Sequence, residues 1–350
     1  MTPTTTATAC TLDRRQNSRR SFLRSAAVTG AALLPASQLM TAGPVARAAA
    51  PVTEGDLAIL RFLAAAELVE DDLWQQYCEL AVSNRFFNFA LRRIDPSLVR
   101  YVCDDRDDER SHANLINGFL VSTGHDPVNL DPFRTLPSSS APGAEERGRL
   151  TNLTKLTIDT SWFYRYRGQG NPDFGNTFPQ LVEIRERPTI PTNRFTSLFE
   201  AQVLANTAAL HFATIEQGGA SLYNALLTKV SNVDVVAILA SIGPTEVYHF
   251  AAFHKSLEGL PALLFDGDLD FLDLRRQPEL AQAIFPEPCT FLSRDLPLCS
   301  VIRPHSTEQA GAIATATALV GSGLFDGQSQ AFFDAVVALA QAADAAIREG

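Results

Sequence analysis

Two short stretches of the sequence decide the fold, Glu109-Arg-Ser-His112 and Glu246-Val-Tyr-His249. Each places a glutamate three residues before a histidine, inside a long segment whose apolar residues recur every three or four positions. Residues three apart on a helix share one face, so each stretch aims a carboxylate and an imidazole at the same point. In both segments that face is the apolar one. The two stretches are therefore expected to point into a protein core.

Four segments carry this helical periodicity, and they predict long helices over residues 54–82, 105–122, 196–231 and 233–257. The first and third of these each add one glutamate to the apolar face, Glu67 and Glu216. An ionised carboxylate is costly to bury, so such a group must be paired, protonated or bound to a metal. The predicted helices thus supply a set of inward-facing donors.

One glutamate from each of two helices, with a Glu-x-x-His unit from each of the other two, is the donor arrangement of di-iron and di-manganese carboxylate bundles. Oxygen donors with one imidazole per metal favour two Fe or Mn ions over a softer metal. A zinc hydrolase is disfavoured because the HExxH motif is absent. The candidate metal ligands are Glu67, Glu109, His112, Glu216, Glu246 and His249.

Two of these positions have alternatives. Glu200 could replace Glu216, but about 24 Å of helix separates them at 1.5 Å per residue, so only one can reach the centre. The spacing to the fourth helix favours Glu216. Glu70 could replace Glu67, and we prefer Glu67. Gly243-Pro244 predicts a kink or a restart in the fourth helix.

The chain beyond the four helices is irregular. An insertion at about 124–193, between the second and third predicted helices, is rich in Pro, Gly and Ser. Its alternating stretches Leu153–Thr160 and Leu181–Arg187 predict a small hairpin. Residues 259–350 form a loop-rich extension.

The extension contains two further predicted helices, at about 307–320 and 328–348. The predicted fold class is therefore all-α, a four-helix bundle over residues 49–258 with a loop and short-strand insertion and extra C-terminal helices.

The first 48 residues differ from the rest of the chain. Residues 14–24 hold five arginines, including Arg19-Arg20, and an apolar run follows before Ala46-Arg47-Ala48. This order predicts an export signal cleaved after Ala48. The run is too short for a membrane-spanning helix, which needs roughly 20 residues. Ser-Arg-Arg-x-Phe-Leu-Arg, at residues 18–24, resembles the signal of the twin-arginine pathway, which implies export of a folded protein to the periplasm or beyond.

The charge of the remaining chain restricts its partners. Residues 1–48 carry six arginines and one aspartate, so without them the net charge falls from −10 to −15. Such an acidic surface argues against nucleic acid and anionic membranes as partners. No later segment of membrane-spanning length is free of charge, so no stable membrane insertion is expected.

Four cysteines lie beyond the signal. Cys289 and Cys299 are ten residues apart in a Pro-rich loop, which makes them the favoured disulfide in an oxidising compartment. Cys78 and Cys103 are explained equally well as buried thiols or as a second bridge.

The sequence also resembles a known family, the ferritin-like domain proteins of the exported, desiccation-related type. The resemblance covers most of residues 54–257 and implies a ferritin-like bundle with a dinuclear metal site. The long insertion departs from storage ferritins, so iron storage in a shell is not expected. The matching stretches are Ala66-Glu67-Leu-Val-Glu70, Glu109-Arg-Ser-His112, Ile215-Glu216-Gln-Gly-Gly-Ala-Ser-Leu-Tyr223, Glu246-Val-Tyr-His249, and, in the insertion, Asn152-Leu-Thr-Lys-Leu156 and Asp159-Thr-Ser-Trp162.

Two functions fit these observations. The first is a dinuclear Fe or Mn centre acting on O2 or peroxide. The alternative is a non-catalytic stress or desiccation-related structural protein on the same scaffold. Access to the centre distinguishes them, because a catalytic site needs an opening. Tyr77, Tyr223 and Tyr248 are interpreted as hydrogen-bonded core residues rather than radical sites.

Overall fold

The computed structural model describes residues 51–165, 178–193, 197–280, 286, 288, 289, 291–300 and 310–349. The predicted export signal lies outside these residues. The helices of the described part are α1 (Glu54–Ser83), α2 (Arg85–Ile94), α3 (Leu98–Ser122), α4 (Trp162–Arg165), α5 (Leu198–Leu227), α6 (Val233–Ser256), α7 (Ala312–Gly321) and α8 (Gln330–Ala345).

The four long helices α1, α3, α5 and α6 form the bundle, and α1 packs against α3 as α5 packs against α6. They correspond to the four predicted helices, although α3 begins seven residues earlier than predicted, at Leu98. The predicted all-α fold class is confirmed. Helix α2 was not predicted; it buries Phe87 and Leu91 and returns the chain from α1 to α3.

Side chains at the helix starts fix the ends of the bundle. Thr53 and Asp56 form a capping box at α1, which satisfies backbone N–H groups that have no partner within the helix. The Asp56 carboxylate also accepts hydrogen bonds from the backbone N–H groups of Ser231 and Asn232, between α5 and α6. One acidic side chain therefore joins the start of α1 to the α5–α6 connection.

Helix α6 runs without interruption across Pro244, so the predicted restart is wrong. Pro244 removes the hydrogen-bond partner of the Ala240 carbonyl. Both residues lie on the exposed side of the helix, where water can replace the missing donor.

By length and composition alone, Val233–Gly259 is apolar enough to cross a membrane. In the fold, the buried side of this segment carries Glu246 and His249 and packs on α5. It therefore lies in the bundle as one of its core helices.

The insertion folds onto the bundle. Strands β1 (Leu156–Ile158) and β2 (Ile184–Arg187) pair antiparallel, which confirms the predicted hairpin. Trp162 in α4 is buried, and its indole N–H donates to Thr214 Oγ1 on α5 at 2.9 Å. This contact fastens the insertion to the bundle.

The C-terminal extension adds the helices α7 and α8 and a second antiparallel hairpin, which consists of β3 (Leu263–Phe265) and β4 (Leu269–Phe271). The backbone N–H of Thr157 donates to the Ser322 carbonyl, and that of Asn152 donates to the Leu324 carbonyl. The end of α7 is thereby tied to the insertion. The remaining elements of the described chain are single 3₁₀ turns at Asp131–Phe133, Leu257–Gly259, Leu274–Arg276 and Pro278–Leu280.

The disulfide of the fold joins Cys78 to Cys103, whose Cα atoms lie 4.9 Å apart, and so links α1 to α3. Cys289 and Cys299 are free thiols, so the favoured pairing was wrong. The physical reason is that α2 reverses the chain and sets two cysteines on facing helices, whereas proximity along a loop does not bring Cβ atoms together.

Candidate metal centre

All six predicted donors meet in the middle of the bundle, where each is at most 8% exposed. Their ligand atoms fall into two sets, and within each set all atoms lie within 4.8 Å of one another. The first set is Glu67, Glu109, His112 and Glu246, and the second is Asp105, Glu109, Glu216 and His249.

The first set is arranged around Nδ1 of His112. This nitrogen lies 3.0 Å from Oε2 of Glu109 and 3.3 Å from carboxylate oxygens of Glu67 and Glu246. Metal–ligand bonds of about 2.1 Å place neighbouring ligand atoms about 3.0 Å apart in an octahedral site and about 3.4 Å apart in a tetrahedral site. The spacing of these donors therefore fits a common metal position.

The second set repeats this pattern around Nδ1 of His249, which lies 3.0 Å from Asp105, 3.1 Å from Glu109 and 3.3 Å from Glu216. Glu109 supplies Oε2 to the first set and Oε1 to the second. One carboxylate therefore belongs to both sets, as a bridging ligand would.

Asp105 was missing from the sequence prediction. It lies one turn before Glu109 on α3 and is 3% exposed. The spacing Asp105-x-x-x-Glu109-x-x-His112 places all three side chains on one helix face, and that spacing was the signal that could have identified it. With Asp105, each imidazole faces three carboxylates.

Two further contacts hold donors in position. Asp108 Oδ2 lies 3.2 Å from Nε2 of His249, so this ring nitrogen donates outward while Nδ1 faces the carboxylates. The hydroxyl of Tyr223 donates to Oε1 of Glu67, which leaves Oε2 toward His112. Partners of this kind fix the orientation of metal ligands.

The donors are chemically suited to a cation. Buried oxygens of Glu67, Asp105, Glu109, Glu216 and Glu246 have no hydrogen-bond partner within the described structure. Isolated charges in such surroundings are strongly unfavourable. Metal binding would satisfy these oxygens.

The pKa shifts have the same origin. Burial raises the pKa of Glu109 well above its usual value, and repulsion from Glu246 and Glu67 adds to the effect. Burial lowers the pKa of His112, but the hydrogen bond to Glu109 and the close contacts with Glu246 and Glu67 outweigh it and raise that pKa to about 12. The centre therefore takes up protons when metal ions do not neutralise it.

The two alternative ligands do not belong to the donor sets. Glu200 forms a capping box with Ser197 at the start of α5, far from the centre. Glu70 belongs to neither donor set. Tyr248 is 72% exposed, so its interpretation as a core residue was wrong, because the helix turns it away from the buried face of His249. Tyr77 and Tyr223 are hydrogen-bonded in the core, as interpreted.

A cavity of about 570 Å³ adjoins the centre. Glu70 and Gly219 line its inner wall, and a Cβ built on Gly219 would come within 2.9 Å of Glu246. The insertion and α7 complete its walls through residues such as Ile184 and Leu319. Open space therefore reaches the surroundings of the donor residues.

A bundle of four long helices around buried carboxylate and histidine sets defines a ferritin-like protein with a site that could bind metal. The model of the family described as "Ferritin-like domain" matches residues 55–259, and the chain belongs to that family. No curated protein and no solved structure matches the chain.

Proposed function

We propose that the chain is an exported ferritin-like protein that binds two Fe or Mn ions and uses them in redox chemistry on O2 or peroxide. The observation that carries this proposal is the shared carboxylate of Glu109, which lies between two otherwise separate donor sets. A single structural metal would need only one of these sets.

In this proposal Glu67, His112 and Glu246 would hold one ion, Asp105, Glu216 and His249 would hold the other, and Glu109 would contribute to both sites. Two neighbouring ions that change oxidation state together supply the pair of electrons that reduction of an O–O bond requires.

The other residues position the donors. Asp108 keeps the Nε2 proton of His249 directed away from the centre, and Tyr223 occupies one oxygen of Glu67. Helix packing excludes bulk water from the donors, which strengthens their electrostatic interaction with a cation.

A catalytic role needs access, and the cavity beside Glu70 and Gly219 supports it. The alternative is the stress or desiccation-related structural role, in which the metals only fasten the helices together. Burial of every donor to 8% exposure or less favours that alternative. The two roles differ in whether metal oxidation follows addition of O2 or peroxide.

Export through the twin-arginine pathway to the periplasm or beyond is part of the proposal. Arg19-Arg20 and the cleavage pattern at Ala48 support it, and so does the Cys78–Cys103 disulfide, because disulfides persist in oxidising compartments. Replacing both arginines, Arg19→Lys and Arg20→Lys, should trap the full-length precursor in the cytoplasm.

The test is elemental analysis of the mature protein purified from the exported fraction, compared with the double variant Glu216→Ala/His249→Ala. The expected result is about two Fe or Mn ions per wild-type chain and a lower metal content in the variant. Peroxide added to the protein with its metal ions in the reduced state should then oxidise those ions within the time of one catalytic cycle. A folded wild-type protein without metal would contradict the proposal.

A further inference from the structure

The cavity beside the metal centre is larger than O2 or peroxide needs. Its volume of about 570 Å³ falls in the range of sites that hold small organic molecules. Three parts of the chain enclose it: the bundle, the insertion and α7. The insertion and α7 lie outside the four helices that carry the metal donors, so the cavity is an addition to the bundle.

One wall of the cavity belongs to the surroundings of the metal donors. Gly219 lines the cavity, and a Cβ there would lie 2.9 Å from Oε2 of Glu246. Glu70 also lines it, and repulsion from Glu109 and Glu246 contributes to the raised pKa of Glu70 after the larger effect of burial. A molecule in the cavity would therefore lie next to the donor carboxylates.

Most of the surface of the cavity is apolar. Leu73 and Ile215 contribute from the bundle, Ile184 from the insertion and Leu319 from α7. Such a surface favours the burial of an apolar ligand by roughly 25 cal/mol for each Å² removed from water.

His211 adds a hydrogen-bond acceptor to this apolar surface. The Thr189 hydroxyl donates to the Leu153 carbonyl, so it accepts from the hydroxyl of Tyr77 at 2.6 Å. Tyr77 in turn lies 2.7 Å from Nδ1 of His211. All three contacts are satisfied when Nδ1 carries the ring proton, which leaves Nε2 as an acceptor.

Thr315 on α7 is a second polar group of the lining. It is 7% exposed, and its hydroxyl has no hydrogen-bond partner within the described residues. A buried hydroxyl without a partner is unfavourable, so a ligand that supplies one would be stabilised.

The charges of the cavity exclude anionic ligands. Arg185 supplies the cationic side chain among the described lining residues. That side chain is 73% exposed and is paired with Glu183. A carboxylate or phosphate in the cavity would therefore lose its hydration without gaining a buried counter-charge.

We propose that this cavity binds a neutral, largely apolar organic molecule that carries a hydroxyl group, and that it holds this molecule beside the metal centre. The hydroxyl donates to Nε2 of His211, Thr315 provides a second polar contact, and the apolar body lies along Leu73, Ile215 and Leu319. The inference rests on the proposed function only in placing the molecule next to metal ions.

The test uses 4-propylphenol as probe and the metal-loaded mature chain, with binding measured by calorimetry. We expect one molecule bound per chain. Propylbenzene, which lacks the hydroxyl, should bind about fivefold more weakly because one net hydrogen bond is lost. The anion 4-propylbenzoate should bind at least about tenfold more weakly because its charge has no buried partner.

Three variants of α7 test the location of the site. Ala318 lines the cavity, and Ala318→Trp should fill it and weaken 4-propylphenol binding at least about tenfold. Thr317 is exposed on the same helix, so Thr317→Trp is the matched control and should bind as the wild type does. Thr315→Val is a nearly isosteric further variant that should weaken 4-propylphenol severalfold and leave propylbenzene unchanged.

The outcomes separate this inference from the proposed function. Wild-type affinity in Ala318→Trp, no binding of 4-propylphenol to metal-loaded protein, or tighter binding of 4-propylbenzoate would each overturn the inference, with the metal content unaffected. A wild-type chain that takes up no Fe or Mn but still binds 4-propylphenol would instead leave the ligand site in place and overturn the dinuclear proposal.

Discussion

A Cβ atom on Gly219 would lie 2.9 Å from Oε2 of Glu246. The absence of a side chain at residue 219 leaves the space that the Glu246 carboxylate occupies between α5 and the centre. The nearest atom is the end of a flexible side chain, so an added methyl group can be accommodated by moving the carboxylate rather than the helix. The site of damage should be the metal centre and not the fold.

We expect Gly219→Ala to lower the metal content of the purified chain while the helical content stays unchanged. Gly118 on α3 is the control, since a Cβ there meets nothing within 4 Å. Gly118→Ala should keep both metals and stabilise the chain by up to about 1 kcal/mol through its higher helix propensity. Elemental analysis and circular dichroism measure the two effects, and full metal content in Gly219→Ala would contradict the steric argument.

The shared position of Glu109 predicts a difference between two substitutions on α3. Glu109→Gln removes a donor from both sets and should reduce the metal content well below one per chain. Asp105→Asn removes a donor from the second set alone and should leave about one ion. Elemental analysis after dialysis distinguishes them; equal metal content in the two variants would show that Glu109 is not shared.

Glu67 and Glu70, one helical turn apart on α1, provide a second matched pair. Glu67 belongs to the first donor set and Glu70 does not. Glu67→Gln should therefore lose one ion, whereas Glu70→Gln should keep both. The reverse result in the same metal assay would exchange their roles.

The Cys78–Cys103 disulfide should stabilise the chain. Its sequence separation of 25 residues corresponds to about 3.5 kcal/mol from the reduced entropy of the unfolded state. The double variant Cys78→Ser/Cys103→Ser should lose roughly that amount in urea unfolding. Cys299 is an exposed free thiol, and Cys299→Ser should change nothing; an equal loss in both variants would argue against the bridge.

His211 predicts a loss of stability in mild acid. Burial lowers its pKa from 6.5 to about 3, so between these values the unfolded chain binds a proton that the folded chain does not. Stability must then fall as the pH falls through this range. Between pH 7 and pH 5 the wild type should lose about 2 kcal/mol more than His211→Asn. Parallel urea curves for both proteins at each pH would contradict this assignment.

The central donors were predictable because helical periodicity is a local property. The spacing of Glu109 and His112 on α3, and of Glu246 and His249 on α6, is enough to place each pair on one buried face. Asp105 has the same spacing but was missed. The predicted helix began at that residue, so no preceding helical turn showed which face of the helix carries Asp105.

Features that depend on the path of the chain were less predictable. The Cys78–Cys103 pairing requires α2 to return the chain alongside α1, and α2 itself was not predicted. The cavity wall combines Ile184 of the insertion with Leu319 of α7, which are distant in sequence. Neither relationship follows from local pattern, because each depends on the tertiary packing of separate elements.

The division of the donors between two helix pairs has a consequence for folding. The disulfide-linked pair α1 and α3 carries Glu67, Asp105, Glu109 and His112, while α5 and α6 carry Glu216, Glu246 and His249. In the unfolded chain every carboxylate can remain hydrated at no cost. Packing of the two helix pairs against each other dehydrates five of them together. Closure of the bundle is therefore the step that must recruit cations, and a chain that closes before metal arrives takes up protons in their place.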